Sequence, residues 1–179
     1  DYDTCLRDDI EAPPEATEKD QDLFAVTLMN RLLFIKFLET RDVLPDGFLR
    51  TLVRDYEDNA ESIPGTLYEA YIKPLFYDLF NTDESERRPK LRTGRYADVP
   101  YLNGGLFREN VPNESQYNLV DRTLPTVIED LIEGHRLEMS GQNFDPAILG
   151  SVFEKTINHI GGEAGRQKEI GAYYTPNDV

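Results

Sequence analysis

The residue types that most often carry catalysis do not form a recognisable constellation in this sequence. His135 and His159 have no neighbouring cysteine and no HxxxH spacing, so we interpret them as surface or capping residues. Cys5 is the single cysteine, which excludes an intrachain disulfide and, by itself, a zinc site. No glycine-rich phosphate loop or dinucleotide fingerprint occurs. The sequence therefore predicts no catalytic residue and no metal site within the chain.

Basic side chains are concentrated in one stretch, residues 82–98, and these could contact phosphate groups. Guanidinium and ammonium groups supply most of the affinity of proteins for the nucleic-acid backbone. A solvated surface loop explains the same composition, and the pattern favours that interpretation slightly. The candidate DNA-contacting residues are Arg87, Arg88, Lys90, Arg92 and Arg95, with Arg166 and Lys168 in the C-terminal tail.

The net charge argues against a surface that binds phosphate in general. The chain has 19 basic and 34 acidic residues, a formal charge of −15, whereas nucleic-acid-binding domains are typically basic. The carboxylates either keep an ordinary protein soluble or indicate adaptation to a salt-rich cytoplasm, and we expect the second. The longest apolar run, residues 23–38, is polar at several positions and too short to span a membrane. We expect a cytoplasmic protein without membrane contact.

Hydrophobic periodicity predicts a mainly α-helical, multi-helix domain with little strand content. Residues 20–41 should form the central helix, buried over about 22–41, because they are apolar on almost every side. Residues 66–81 show a helical repeat that Pro74 should kink or split. The other predicted elements are a turn at 42–47, helices at 48–57, 125–133 and 145–160, and a short strand at 135–140.

The organisation we expect is a loose polar arm at 1–19, a helical connector domain at 20–160 and a linker at 161–179. Within the connector, Asn103-Gly104-Gly105 is either a buried tight turn, which the pattern favours, or a turn that approaches DNA or a domain interface.

Three segments in this order resemble one known family. They are Asn30–Glu39, Tyr101–Phe107, and a third that runs from Asp145–Glu154 to Lys168–Pro176. Together they are similar to the region before the methyltransferase domain in single-chain type II restriction–modification enzymes of the Eco57I-like group (type IIG). The resemblance covers about residues 22–179.

The resemblance implies a cofactor site at the C-terminal end. In that family, a Gly-x-Tyr-Tyr-Thr-Pro segment opens the methyltransferase fold and contacts the methionine end of S-adenosylmethionine. Carried over, this assigns Tyr173, Tyr174, Thr175 and Pro176 to the cofactor. From spacing alone, the same residues also fit a tyrosine-rich turn that leads into a helix.

The family's catalytic parts have no counterpart in this chain. No Asn-Pro pair occurs, so the Asn-Pro-Pro-Tyr motif that holds a flipped adenine is missing. None of the lysines follows a glutamate at the spacing of a Pro-Asp…Glu-x-Lys nuclease core. We therefore expect the chain alone to be inactive. The resemblance implies that its parent methylates adenine N6 in DNA, and it leaves open whether the parent also cleaves DNA.

The predicted role is a helical connector that braces the catalytic domain and could contact DNA. Its partners would be the downstream methyltransferase domain and, through the parent, double-stranded DNA. The alternative is a non-enzymatic acidic module that binds proteins through a helical face. A third interpretation is a module that itself recognises a DNA sequence.

Overall fold

The computed structural model describes residues 6–102 and 105–132, with side chains up to Glu129. Several predictions lie outside these residues: the strand at 135–140, the helix at 145–160, Arg166, Lys168 and the four residues of Tyr173–Pro176. The described part is mostly helical and has one two-stranded sheet, which confirms the predicted fold class.

The central helix, α1, spans Glu18–Thr40, as the sequence predicted within two residues at each end. A capping box starts it: the Thr17 hydroxyl accepts the Asp20 N–H at 3.2 Å, and the Asp20 carboxylate accepts the Thr17 N–H at 2.9 Å. Fifteen of its 23 residues are buried, so α1 is surrounded by the rest of the described fold.

The predicted turn at 42–47 leads into α2, which spans Phe48–Asn59. Asp42 and Gly47 adopt left-handed backbone conformations, with φ of 56° and 72°, which reverses the chain at the end of α1. The buried residues of α2 lie on one face, because they recur at helical spacing: Phe48, Leu49, Leu52, Val53 and Tyr56.

The repeat at 66–81 is helical from Leu67 to Phe80, but most of its turns are π-helical. The two π-helical segments are Tyr68–Ile72 and Leu75–Phe80. Pro74 lies between them with φ −61° and ψ −36°, so the helical backbone continues through it. The wider turns before it offer a physical reason: Lys73 N–H bonds five residues back, to Tyr68 O, instead of four.

The remaining described chain is irregular apart from short elements. Residues 82–122 contain 3₁₀ turns at Pro89–Leu91, Gly94–Tyr96, Gly105–Phe107 and Glu114–Gln116. The helix predicted at 125–133 is present as α3, Leu124–Thr126, which continues as the π-helical segment Val127–Ile132. Pro125 lies in its first turn, as predicted.

The N-terminal residues 6–19 are packed against the fold, which differs from the loose arm that their polarity indicated. Ile10–Glu11 forms β1 and pairs antiparallel with β2, Asn118–Leu119. Leu6 is 4% exposed and belongs to the core. Because this pairing joins residues more than 100 positions apart, the local sequence carries no signal for it.

One hydrophobic core unites the described helices around α1. Phe24 of α1 stacks on Tyr117 with ring centroids 4.6 Å apart. On the other side, the Phe107 ring lies 4.6 Å from Phe80 and 5.6 Å from Phe76. Burial of each such side chain stabilises the fold by about 1.5–3 kcal/mol, so Phe107 anchors the segment 101–107 to the helices.

Candidate functional site

A buried arginine forms the first polar centre of the fold. Arg31 lies in the middle of α1 and is 1% exposed. Its guanidinium forms an ion pair with Glu114, which is completely buried, and donates to the Tyr77 hydroxyl at 3.1 Å. The aromatic rings of Phe76, Tyr77 and Phe107 surround it, with centroids 5.2–6.0 Å from the guanidinium carbon. The charge of Arg31 is therefore compensated inside the core.

Arg31 also holds the backbone of the segment that follows the glycine pair. Its Nε donates to Leu106 O at 2.8 Å, and its Nη2 donates to Arg108 O at 2.7 Å. Arg31 belongs to Asn30–Glu39, whereas Leu106 belongs to Tyr101–Phe107. Two of the three segments that carry the family resemblance are thus in direct contact.

Glu114 completes this centre from the loop side. Its carboxylate accepts the Asn110 N–H at 2.6 Å, the Val111 N–H at 3.1 Å and the Tyr77 hydroxyl at 2.5 Å. Burial raises the pKa of Tyr77, and the carboxylate beside it acts in the same direction, so this phenol stays protonated as a donor. The Arg31–Glu114 centre fixes residues 106–114 against α1 and the π-helical segment Leu75–Phe80.

A second buried pair positions the start of α2. Lys36 and Glu39 are each 1% exposed along their side chains and are joined at 2.6 Å. The Glu39 carboxylate also accepts the N–H groups of Gly47 at 3.0 Å and Leu49 at 3.2 Å. A carboxylate at a helix N-terminus satisfies free N–H groups and opposes the positive end of the helix dipole.

These two centres are suited to positioning and not to proton transfer, because each is shielded from water and committed to several hydrogen bonds. Sequence reasoning noted Arg31 and Lys36 only as interruptions of an apolar helix. The available signal was that a helix buried on all sides contains Arg, Lys and Glu, since such residues are almost never buried without partners.

The basic cluster at 82–98 divides into residues with different environments. Arg87 is 4% exposed, and its guanidinium donates to Leu79 O, Thr82 O and Val99 O at 2.6–3.2 Å. Burial lowers its pKa. Arg87 therefore lies in the interior, which is not where the DNA contact expected from the sequence would place it.

Two further arginines of the cluster contact backbone or side-chain groups of the protein itself. Arg92 donates to Arg87 O at 2.8 Å and to Ser85 O at 2.6 Å. Arg95 pairs with Asp55 of α2 at 2.7 Å and lies 4.1 Å from the Tyr71 ring centroid. The side chain of Arg95 is 36% exposed, so it is accessible on one side.

Arg88 and Lys90 are exposed, and within the described residues neither side chain has a hydrogen bond or ion pair. They flank Pro89, which starts the 3₁₀ turn Pro89–Leu91. Of the five cluster residues predicted to contact DNA, these two are the ones whose charges point to solvent without a protein partner in the described part.

A cleft of about 550 Å³ lies beside the Arg31–Glu114 centre. Tyr77 lines it, together with three carboxylates and one ammonium group: Glu69, Asp78, Glu109 and Lys73. Burial lowers the pKa of Lys73, whose Nζ donates to Tyr117 O at 3.1 Å. The excess of carboxylates over the single ammonium group disfavours binding of phosphate groups in this cleft.

Comparison with known proteins identifies one relative of this chain. The chain is 45% identical over 183 residues to a protein of Methanocaldococcus jannaschii named "Putative type II restriction enzyme and methyltransferase". The chain is homologous to a segment of that protein. This confirms the resemblance seen in the sequence. The alignment covers 98% of the chain and 15% of the relative's length. No family model and no solved structure matches the chain.

Two further properties concern only the described part. No group of three or more His, Cys, Asp or Glu side chains there could hold a metal ion. None of the helices within residues 6–102 and 105–132 has the length and hydrophobicity that crossing a membrane requires.

Proposed function

We propose that this chain is the helical connector region of an S-adenosylmethionine-dependent enzyme that methylates adenine N6 in DNA. In this role it braces the catalytic domain that follows it. The 45% identity to a restriction and methyltransferase protein supports the family. The contact of Arg31 with Leu106 O and Arg108 O carries the bracing role, because it joins two segments of the family resemblance through the core.

The cofactor is assigned to residues outside the described part. Tyr173, Tyr174, Thr175 and Pro176 match the family's motif for S-adenosylmethionine, and a threonine hydroxyl can hydrogen-bond the amino-acid end of that molecule. The methyl donor would be supplied there, while the connector supplies a fixed support. We also propose a cytoplasmic location, since DNA is the substrate.

The proposed DNA contact is limited to exposed basic residues. Arg88 and Lys90 are suited to phosphate oxygens, and Arg92 and Arg95 add positive charge beside them. Arg166 and Lys168 remain candidates on the basis of the sequence. Arg87 is left out of this proposal because its donors are bound to carbonyl groups. Contacts to phosphate position a protein on DNA without reading its sequence.

The test is methyl transfer by the full-length protein that carries this chain. With labelled S-adenosylmethionine and duplex DNA, we expect label on adenine N6. Arg31→Met should lower the turnover rate by up to about 100-fold, the cost of misplacing a site by roughly 1 Å. Arg31→Lys keeps the charge and loses part of the carbonyl contacts, so an intermediate rate is expected.

Arg54→Met is the matched control, because this side chain of α2 is exposed and has no hydrogen bond or ion pair with the Arg31–Glu114 centre in the described part. A wild-type protein that transfers no methyl group to adenine would overturn the enzymatic proposal and favour the acidic interaction module. Methyl transfer that is the same in both Arg31 variants as in the wild type would overturn the bracing role.

A further inference from the structure

We propose that Arg87 and Arg92 hold residues 85–92 in one fixed conformation that presents Arg88 and Lys90 as a preformed contact for the phosphates of duplex DNA. Arg87 and Arg92 are then positioning residues and do not contact phosphate through the groups that hold the loop. This inference rests on the proposed DNA contact and adds to it a reason why four of the cluster's basic residues occur within the six positions 87–92.

Arg87 is the inner anchor of the loop. Its three carbonyl partners belong to the end of a helix, to the second residue after that helix and to the far side of the loop: Leu79, Thr82 and Val99. Leu79 O lies in the last turn of Leu75–Phe80, where carbonyl groups lack helical partners and a positive charge is favoured. A planar guanidinium can bond in three directions at once, which an ammonium group on a flexible stem does less well.

Arg92 closes the loop from outside. Its guanidinium returns to the backbone of Ser85 and Arg87, so that the chain from 85 to 92 forms a ring of hydrogen-bonded groups. Within this ring, Leu91 N–H donates to Arg88 O at 2.9 Å and Arg92 N–H donates to Pro89 O at 3.2 Å. The backbone of the exposed pair is therefore fixed on both sides.

The far end of the loop is attached to α2. The ion pair of Arg95 with Asp55 and its stacking on Tyr71 connect residue 95 to two different helical segments. The Tyr71 hydroxyl donates to the same Asp55 carboxylate at 2.9 Å. Movement of the loop as a whole would break these contacts, so its position relative to the core is also set.

The segment that carries the exposed pair is positively charged, although the chain is acidic and Asp83, Glu84 and Glu86 precede the segment. Residues 88–95 contain Arg88, Lys90, Arg92 and Arg95 and no acidic residue, against −15 for the whole chain. Pro89 lies between the two exposed residues and has a restricted φ. A pair that is already ordered loses less conformational entropy on binding than the same pair on a flexible loop.

The test measures binding of the 179-residue chain to a labelled duplex by fluorescence anisotropy over a series of KCl concentrations. Arg88→Gln/Lys90→Gln should reduce the slope of log K against log salt by about 1.8, because each lost phosphate contact removes about 0.9. Arg92→Lys keeps the net charge but cannot reproduce the paired carbonyl bonds. It should weaken binding about two- to tenfold, the cost of ordering freed side chains.

Arg122→Lys is the control for exchanging an exposed arginine, and it should bind like the wild type. Hydrogen exchange adds a second readout: Arg92→Lys should accelerate exchange of the Leu91 and Arg92 amides and leave the amides of α1 unchanged.

The outcomes separate the two proposals. If the wild type does not bind, or if the double variant keeps the wild-type slope, the DNA contact itself is wrong and this inference falls with it. If the double variant loses slope while Arg92→Lys binds and exchanges like the wild type, the DNA contact stands and the positioning role is overturned.

Discussion

Arg31 and Glu114 can be buried together because each charge has several partners. The pair has rings on three sides, and its remaining donors and acceptors bind two carbonyls, two backbone N–H groups and a tyrosine hydroxyl. Removal of water from two charges is costly, and only such complete hydrogen bonding offsets it. The stabilisation that each of these two side chains provides should therefore depend strongly on the presence of the other.

Arg31→Met is expected to destabilise the chain by about 3–5 kcal/mol, because it leaves the Glu114 carboxylate buried without its counter-charge. Glu114→Gln added to it should recover part of this loss, since a neutral amide still accepts the Asn110 and Val111 N–H groups. Urea denaturation of the wild type, both single variants and the double variant measures the coupling. Additive losses would contradict a mutual dependence of the two residues.

Tyr56 contributes to the free energy of unfolding in a way that depends on pH, and the direction of this dependence follows from its pKa. The hydrogen bond of its hydroxyl to Asp121, at 2.7 Å, together with burial, raises the pKa of Tyr56 to about 12 from the ordinary value of 10.0. Between these values, the unfolded phenol loses its proton before the folded one does. The stabilisation is thus complete below pH 10 and is lost as the pH rises towards 12.

We expect the free energy of unfolding of the wild type to fall more steeply between about pH 10 and about pH 12 than that of Tyr56→Phe, which has no proton to lose at this position. Urea titrations of both proteins across this window measure the difference. Tyr96, whose pKa burial also raises to about 12, is present in both and cancels. If the free energy of unfolding of both proteins falls equally with pH, the contact with Asp121 does not make stability depend on protonation of Tyr56.

At the scale of elements, α2 begins without a side-chain cap of its own. Its N-cap is Gly47, and the carboxylate that satisfies the Gly47 and Leu49 N–H groups comes from Glu39 at the end of α1. The short turn between the helices must therefore reverse the chain and keep α2 aligned with Glu39. A left-handed φ of 72° at Gly47 achieves this, and other residue types adopt it reluctantly.

Gly47→Ala should cost about 1–2 kcal/mol, since a left-handed conformation carries that penalty for a residue with a Cβ. Steric contact does not add to it, because no atom lies within 4 Å of the added Cβ. Gly105→Ala is the control: it has equal space and no positive φ. Equal midpoints of urea unfolding for the two variants would refute a conformational origin of the cost.

The sequence predicted those helices whose signal lies in neighbouring residues. The all-round apolarity of residues 23–38 indicated α1, the four-residue repeat of 67–80 indicated the following helical run, and Pro125 indicated the start of α3. The pairing of Ile10–Glu11 with Asn118–Leu119 was not predictable, because two-residue strands leave no periodic pattern and the partners are far apart in sequence. The π-helical turns on either side of Pro74 were also not predicted, because a four-residue apolar repeat does not distinguish an α-helix from a π-helix.

The sequence predicted which basic residues form the cluster at 82–98, but it did not predict which of them are buried and which are exposed. The sequence identified a basic cluster, yet Arg87 and Arg88 are adjacent and have opposite environments. The partners that bury Arg87 are carbonyls of Leu79 and Val99, which every residue type possesses, so no side chain marks them in advance. For Arg31, its place in a helix that is buried on all sides indicated that it has partners, but two of these partners are backbone oxygens that no residue type marks.

At the scale of the whole molecule, the formal charge of −15 opposes folding through repulsion among carboxylates. Added salt shortens the range of this repulsion, from about 10 Å at 0.1 M to about 3 Å at 1 M. Exposed ion pairs that salt weakens, such as Arg95–Asp55 in the described part, contribute about 0–1 kcal/mol each. Screening of the repulsion among carboxylates should therefore determine how the stability of the fold changes with salt.

The urea midpoint of the chain should rise between 0.1 and 1 M KCl, and NaCl should act to the same extent if screening is the cause. This result would support the proposed adaptation to a salt-rich cytoplasm. A midpoint that falls with either salt would mean that attractive ion pairs outweigh the excess of carboxylates, and it would remove the physical basis for that proposal.

The way in which Arg31 holds residues 106–108 has a consequence for sequence variation. Both of its bonds to this stretch end on main-chain oxygens, so the tether is indifferent to the side chains at positions 106 and 108. Phe107 is buried and Leu106 packs partly buried against the core, so both must stay apolar, whereas the exposed Arg108 can be exchanged without loosening the attachment. The side chain at position 108 can therefore vary while the backbone of the stretch stays in place, which makes this position a natural site for engineering new contacts.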